Sequence, residues 1–558
     1  MAPSPEHSLA GLGNDVIFII LDMLQDESPG TVASMTLVSS YFYKKARYSQ
    51  HRELSIDISQ EIVTPKRLDY AANNGLLPAI RHLKVGGIRP RTRAEHDTLS
   101  KLCRLIPSMS GLTYVTWDFT IPLEALVVIQ ERPGVRIHTN SWSSHIFHKD
   151  KNPIVHLRGN LNLHSLDIGT TYTGAEECLQ TTQRLKCILL SCPNLRCLKL
   201  NLSLPSSRYI IYSEPSEYCG FGFTNGERPP PLEELELDGY PWGYWTADTS
   251  SNDPFRQHGY PLKGREEDYW AETFDWSQLK RLSTHYSVFA LQIMPQLISL
   301  RELDCRGWDH DRVKTFHLNV PAALESITVS SFAGIGMDGL LRHGPKLKKL
   351  VIHQAEACQG RWRDAVVDAK TLRNVRDACP LLVELGLDVG RDGSWPYDIL
   401  ETLATFPRLR SLTIWFELGL GHNQDPVEPY VTFSEAVKLF KSIRDHSPAQ
   451  PSRLQRAEII SGSPPPIGLG LTAPSDFWPK QNSTSFVCTV SERDDEAERG
   501  VFSVVCPNLK KEENEMLRKL DAEGPGDRTG LSYRRVFEVA LWGPAPYSEA
   551  DTYDDDMW

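Results

Sequence analysis

"LESITVSSFAGIGMDGLLRHGPKLKKLVI", from Leu324 to Ile352, admits two readings of the fold. Gly334-Ile335-Gly336-Met337-Asp338-Gly339 has the spacing of a dinucleotide-binding glycine loop placed after a strand-like run. In that reading the glycines let the backbone approach a pyrophosphate seated on a helix N-terminus. The flanks point elsewhere. Leu324, Ile327 and Val329 place apolar residues at i, i+3 and i+5, and Leu347, Leu350 and Ile352 repeat the pattern 23 residues on. After Gly339 only Leu-Leu-Arg-His precedes Gly344-Pro345, too short for the long helix of a dinucleotide fold. The glycines therefore read as a tight connection between a strand and a short helix, with no nucleotide bound.

The same i, i+3, i+5 pattern starts at Ile80, Leu112, Leu163, Leu195, Leu232, Leu279, Leu300, Leu324, Leu347, Leu382 and Leu409, with a twelfth candidate at Leu454. Positions i+3 and i+5 lie two apart, so on a strand both point to one buried side while i+4 and i+6 point outward. Between copies, "TLRNVRDACP" and "LETLATFP" carry helical apolar spacing. Successive copies begin 21 to 51 residues apart, and the shortest intervals match leucine-rich repeats. The expected fold is α/β: a short N-terminal helical module, then a curved, irregular repeat solenoid with parallel strands on the concave face and helices on the convex face. An ordinary α/β domain with unrelated strands is the rival reading. The outward positions Lys199, Asn201, Glu236, Asp238, Asp304, Arg306, Val351, His353, Asp388 and Trp415 are the candidate contacts for a target protein.

In the first fifty residues, "LGNDVIFIILDML" spaces Leu12, Val16, Ile19, Ile20 and Leu24 as one apolar helix face. "DESPGT" supplies turn chemistry, and "TVASMTLVSSYFYKKA" continues with Val32, Met35, Leu37, Val38 and Phe42. Helices this short cannot hide so much apolar surface alone, which suits either a cap on a larger core or a docking module.

From about residue 8 to 52 these residues resemble the F-box family: Leu12, Gly13, Asp15 and Val16, then Ile20, Leu21 and Leu24, then Leu37, Val38, Ser39, Ser40 and Phe42. Gly13, Ser40 and Phe42 replace the usual proline, lysine and tryptophan. The resemblance implies a helical module that docks on the Skp-type adaptor of cullin-RING ubiquitin ligases. It places Leu12, Val16, Ile20, Leu21, Leu24, Leu37 and Val38 in the module's core or on its adaptor face. An F-box followed by leucine-rich repeats resembles a familiar order of modules, in which the repeats present a target-binding surface. The implied role is a non-catalytic substrate-recognition subunit of an SCF-type ligase, partnered by the adaptor, through it cullin, and a target protein. The alternative is an F-box and repeat scaffold acting outside a ligase.

Composition bounds the rest. A net charge of -11, from 60 Lys and Arg against 71 Asp and Glu, argues against nucleic acid as a partner. The 11 cysteines lack paired spacing, which fits reduced thiols and a cytoplasmic or nuclear location. No apolar run approaches the roughly 20 residues that cross a bilayer, so no membrane association is expected. Cys187, Cys192 and Cys197 recur every five residues but lack the tighter pairs of a zinc site, and read as small core residues. His138, His145 and His148 lack a metalloprotease motif and read as surface histidines. No nucleophile elbow or phosphate loop is present, so neither a cofactor nor enzymatic activity is expected.

The expected organisation is a disordered lead-in over 1–7, a helical module over 8–55, and repeats over 56–462 with insertions at 201–230 and 240–276. A Pro/Gly-rich linker over 463–480, a C-terminal cap over 481–545 and an acidic tail over 546–558 follow. The aromatics Trp242, Tyr244, Trp245, Trp270 and Trp276 in the second insertion suit either interface anchors or a core under a long loop.

Overall fold

The computed structural model describes residues 12–60, 62–87, 90–143, 155–171, 175–203, 220–224, 226–240, 242, 266–354, 366–417, 427, 429, 431–449, 452–461, 484–490, 502–505 and 515. The lead-in, the Pro/Gly-rich linker, the acidic tail, Tyr244, Trp245, His145 and His148 lie outside these residues. So do residues 481–483, 491–501, 506–514 and 516–545 of the expected C-terminal cap. The chain divides into two compact units, Met1–Pro205 with Tyr212–Gln278, and Ser206–Ile211 with Leu279–Trp558.

The first unit opens with α1 (Asn14–Glu27), α2 (Pro29–Met35) and α3 (Ser40–Gln50). Proline at the start of α2 has its φ pre-set for a helix, and the Ser39 hydroxyl caps α3 by accepting the Phe42 N–H at 3.2 Å. The three helices close on a small core of Ile17, Leu21, Val32 and Ala46, with Leu24 and Met35 packed against it. The buried face of α1 is therefore Ile17, Leu21 and Leu24, not the face read from Leu12, Val16 and Ile20. The helix is apolar on two sides, so periodicity alone does not choose between them.

Seven parallel strands follow in the same unit: β1 (Glu53–Asp57), β2 (His82–Gly86), β3 (Tyr114–Trp117), β4 (Arg136–Ser143), β5 (Leu163–Thr171), β6 (Cys197–Ser203) and β7 (Glu234–Gly239). Between them lie α4 (Val63–Asn73), α5 (Arg93–Leu105), α6 (Leu123–Gln130) and α7 (Ala175–Ser191), and α8 (Glu266–Thr273) comes after β7. The pattern's i+3 and i+5 side chains are buried on every strand, as in Leu83 with Val85 and Leu198 with Leu200. Two strands, β1 and β4, escape the pattern. By register, His51 stands at the first position ahead of Leu54 and Ile56 on β1, and Gly134 at the first position ahead of Ile137 on β4, where the counted copies carry Leu or Ile. The strand β4 fills the long gap between the copies at Leu112 and Leu163.

The aromatic insertion supplies core. Phe221 stacks on Trp270 at 5.3 Å between centroids, with Phe223, Tyr240, Phe274 and Trp276 around them. The carboxylate of Glu266 is buried among them and accepts the Tyr240 hydroxyl at 2.7 Å and the Phe221 N–H at 2.8 Å.

The second unit continues the same design with β8 (Arg281–Thr284), β9 (Glu302–Asp304), β10 (Ser326–Val329), β11 (Lys349–Ile352), β12 (Glu384–Val389), β13 (Ser411–Phe416) and β14 (Arg456–Ser461), all parallel. The candidate copy at Leu454 is thus a strand. Two antiparallel strands, β15 (Thr484–Val490) and β16 (Phe502–Val505), extend this sheet beyond β14. The intervening helices are α9 (Ser287–Ile293), α10 (His310–Asn319), α11 (Phe332–His343), α12 (Ala369–Ala378), α13 (Tyr397–Ala404) and α14 (Phe433–Asp445). Asp309, Asp368 and Thr432 cap α10, α12 and α14 by accepting backbone N–H groups three residues on. Neighbouring helices pack in sequence order, α10 on α11, α12 on α13 and α13 on α14. A backbone ladder keeps the repeats in step: Arg301 N–H donates to Lys280 O at 2.8 Å, Glu325 to Arg301 at 2.7 Å, and Lys348 to Glu325 at 2.8 Å.

The glycine-rich stretch lies inside this design, with one correction. It forms α11 itself instead of a connection ahead of it, because the helix starts at Phe332 and bends at Gly336. Gly336 has φ 61° and ψ 176°, a conformation essentially reserved for glycine. A Cβ on Gly334 would sit 3.1 Å from Val313 of α10, so that glycine serves close helix packing.

Candidate functional site

Two surfaces emerge. The first is on the N-terminal helices. Val16, Ile19 and Met23 follow i, i+3 and i+7 along α1 and, with Leu12 just ahead of the helix, are all exposed, Ile19 by 59%. At the turn between α2 and α3, Leu37 is 87% exposed and Val38 69%. Of the residues assigned to core or adaptor face, Leu12, Val16, Leu37 and Val38 face outward, Ile20 and Leu24 are half-buried, and Leu21 is wholly in the core. Met23 joins the exposed stripe at a spacing visible in the sequence. The module is held on the first repeats by polar contacts: Asp22 receives Arg81 and the Ser49 hydroxyl, and Arg52 pairs with Asp26 and donates to Asp22 O at 3.2 Å.

The second surface is the outward face of the strands. In the first unit, Lys199 pairs with Glu236 at 2.8 Å, and Asp238 is exposed. Asp167 stands beside them. Burial raises its carboxyl to about 6, with Lys199 opposing and Glu236 and Asp238 adding to the rise. On the neighbouring strands His82, Tyr114, His138 and His164 line up at 6.1, 6.0 and 5.3 Å between centroids. His138 is therefore half-buried in an aromatic row, not a solvated histidine; burial, then His164, His82 and Arg136, bring it down to about 4.

In the second unit, Arg306 pairs with Asp304 at 2.7 Å. His353, Asp388 and Trp415, from three successive strands or their ends, form one cluster. The Asp388 carboxylate, fully buried, accepts His353 Nδ1–H at 2.6 Å and the Gln354 N–H at 2.8 Å. Burial raises the Asp388 carboxyl, with the His353 hydrogen bond opposing. The Trp415 indole stacks on the His353 ring at 4.0 Å and covers Gly386, where a Cβ would lie 3.0 Å from the indole. Asp388 thus cannot itself touch a target, as its place in the candidate row implied; it orients His353 beneath Trp415. Cys192 is buried as expected of a core residue, but Cys187 is exposed and Cys197 half-buried. Among the described residues no group of three or more His, Cys, Asp or Glu side chains converges as a metal site. No described helix is long and apolar enough to cross a membrane.

The strand and helix repeats of both units define the chain as an α/β protein of leucine-rich-repeat architecture. It matches no protein-family model and no curated protein sequence. Among solved structures, the yeast Rad7 and Elc1 complex is similar at 13% identity and a TM-score of 0.32, covering 76% of this chain and 98% of that one. A leucine-rich-repeat protein of Leptospira interrogans is similar at 12% identity and a TM-score of 0.19, covering 73% of this chain and 95% of that one. The TLR13 complex with single-stranded RNA is similar at 12% identity and 0.23, covering 61% of this chain and 36% of that one. These similarities are remote, and the architecture is read from the strands and helices themselves.

Proposed function

We propose that the chain is the substrate-recognition subunit of an SCF-type cullin-RING ubiquitin ligase, with α1–α3 acting as an F-box that docks on a Skp-type adaptor and the repeats holding a target protein. The observation that carries this reading is the set of exposed apolar residues Leu12, Val16, Ile19, Met23, Leu37 and Val38 on a module whose own core is four residues. Exposed apolar residues on short helices suit a helix-in-groove contact, which removes that surface from water. The chain is non-catalytic in this scheme. It raises the target's effective concentration near another subunit's ubiquitin-conjugating centre, in the cytoplasm or nucleus.

The test is isothermal titration of the full chain with a purified Skp-type adaptor. The wild-type chain binds, and Leu37→Asp weakens binding by about tenfold or more, as expected for a central apolar contact. The variant's circular dichroism stays unchanged, because Leu37 lies outside the core. Absence of binding by the wild type, or equal binding by Leu37→Asp, contradicts the proposal.

A further inference from the structure

The first unit contains a groove of about 390 Å³ at the N-terminal ends of β4 to β7, lined by the turns that lead into those strands. Its polar walls are Arg136, His164, Asn194, Arg196 and Glu233, and the exposed side chain of Leu161 lies on its rim. Only His164 is shared with the aromatic row described above, and none of these residues belongs to the exposed apolar residues of the N-terminal helices.

The guanidinium of Arg136 lies over the Tyr114 ring at 5.8 Å and makes no hydrogen bond or ion pair among the described residues. Its charge is left for something outside the described residues to neutralise. Arg196 is held differently: its Nη1 donates to Pro193 O at 2.9 Å and Leu195 O at 2.8 Å, which fixes the direction of the fork. Asn194 is likewise anchored, its Nδ2 donating to Leu161 O at 2.8 Å. His164 reports the local field. Burial lowers its pKa, Arg136 and Arg196 lower it further, and Glu233 only partly opposes them. The imidazole is therefore neutral near pH 7, and the fixed charges of the walls are two cations and one carboxylate.

From this geometry we infer that the groove binds an acidic peptide segment of the target, with one side-chain carboxylate received between Arg136 and Arg196. The two guanidinium groups favour an anionic side chain, and a planar carboxylate fits a pair of guanidinium forks. Leu161, exposed on the rim, offers the neighbouring residue of the same segment an apolar contact. The volume falls in the range of sites that hold a few residues or a small ligand. The inference rests on the repeats being a target-binding surface, and it does not depend on adaptor binding.

The experiment is fluorescence polarisation with the full chain at low ionic strength. The probes are labelled peptides of one Gly/Ser background carrying at their centre Glu-Leu, Gln-Leu or phosphoserine-Leu. The expected result is binding of the Glu-Leu peptide, about tenfold weaker binding of Gln-Leu, and a similar loss for Arg136→Gln with Glu-Leu. The Arg136 side chain makes no hydrogen bond among the described residues, so this variant keeps the wild-type melting curve, and Arg196→Lys, which keeps the charge but loses the fork, gives a smaller loss. Equal affinity for Glu-Leu and Gln-Leu, no effect of Arg136→Gln, no detectable binding of Glu-Leu at millimolar concentration, or tighter binding of phosphoserine-Leu than of Glu-Leu overturns the inference. Adaptor titration with Arg136→Gln is unchanged, so failure here and failure of the adaptor reading are separable.

Discussion

At the scale of single residues, the helix layer of the second unit holds two buried histidines whose imidazoles stay neutral in the folded chain near pH 7. His317 and His343 are both fully buried, with ring centroids 5.4 Å apart. Leu324 N–H donates to His343 Nδ1 at 3.2 Å, so the ring proton sits on Nε2, which donates to His317 O at 3.0 Å. Protonating Nδ1 would set an N–H against an N–H. Burial, with His343 adding to it, takes His317 down to about 3; burial outweighs the His317 carbonyl contact and takes His343 down to about 4. Both folded pKa values lie below the unfolded value near 6.5, so the unfolded chain takes up protons that the folded chain does not. Stability is therefore full above about pH 6.5 and falls as the pH drops from there toward 4, by up to about 1.4 kcal/mol per pH unit for each histidine. Denaturant titrations of the wild type and of His317→Gln between pH 7 and 5 check this: the variant has the shallower dependence on pH.

At the scale of elements, α1 shows what a sequence pattern carries and what it does not. Its helical nature was legible from apolar spacing; its orientation was not, because Ile17 and Leu21 on one face and Val16 and Ile19 on the other are equally apolar. Only the partners Val32 and Ala46, brought in by α2 and α3, decide which face closes. The adjacent pair Val16 and Ile17 tests that assignment. Ile17→Ala costs about 2–4 kcal/mol of the module's stability, whereas Val16→Ala stays within about 0.5 kcal/mol, read by hydrogen exchange of the α1 amides. The repeat strands were legible wherever leucine or its equivalents marked the buried positions. Strands β1 and β4 were not, since a strand needs only its ladder and two inward side chains, and His51 and Gly134 do not break either. The groove beside Arg136 went unread for the same reason: without β4, Arg136 had no neighbours in His164 and Arg196. The cluster of His353, Asp388 and Trp415 was legible as a row of outward positions, but the burial of Asp388 depends on contacts across three repeats that no local spacing records.

At the scale of the whole molecule, the chain combines two kinds of surface. A small module keeps apolar residues in water that its own core has no room for, and the repeats of each unit present polar and aromatic rows that include matched ion pairs such as Lys199 with Glu236 and Arg306 with Asp304. In the proposed role, the first would serve a constant partner and the second a selected one. The most direct measurement is reconstitution: the full chain mixed with a Skp-type adaptor, a cullin and its RING subunit, and resolved by size-exclusion chromatography. Co-elution of all four components for the wild type, lost when Val16→Asp and Leu37→Asp are combined, is the predicted result. Elution of the wild-type chain apart from the cullin would contradict the ligase role, whether or not the adaptor stays bound to it.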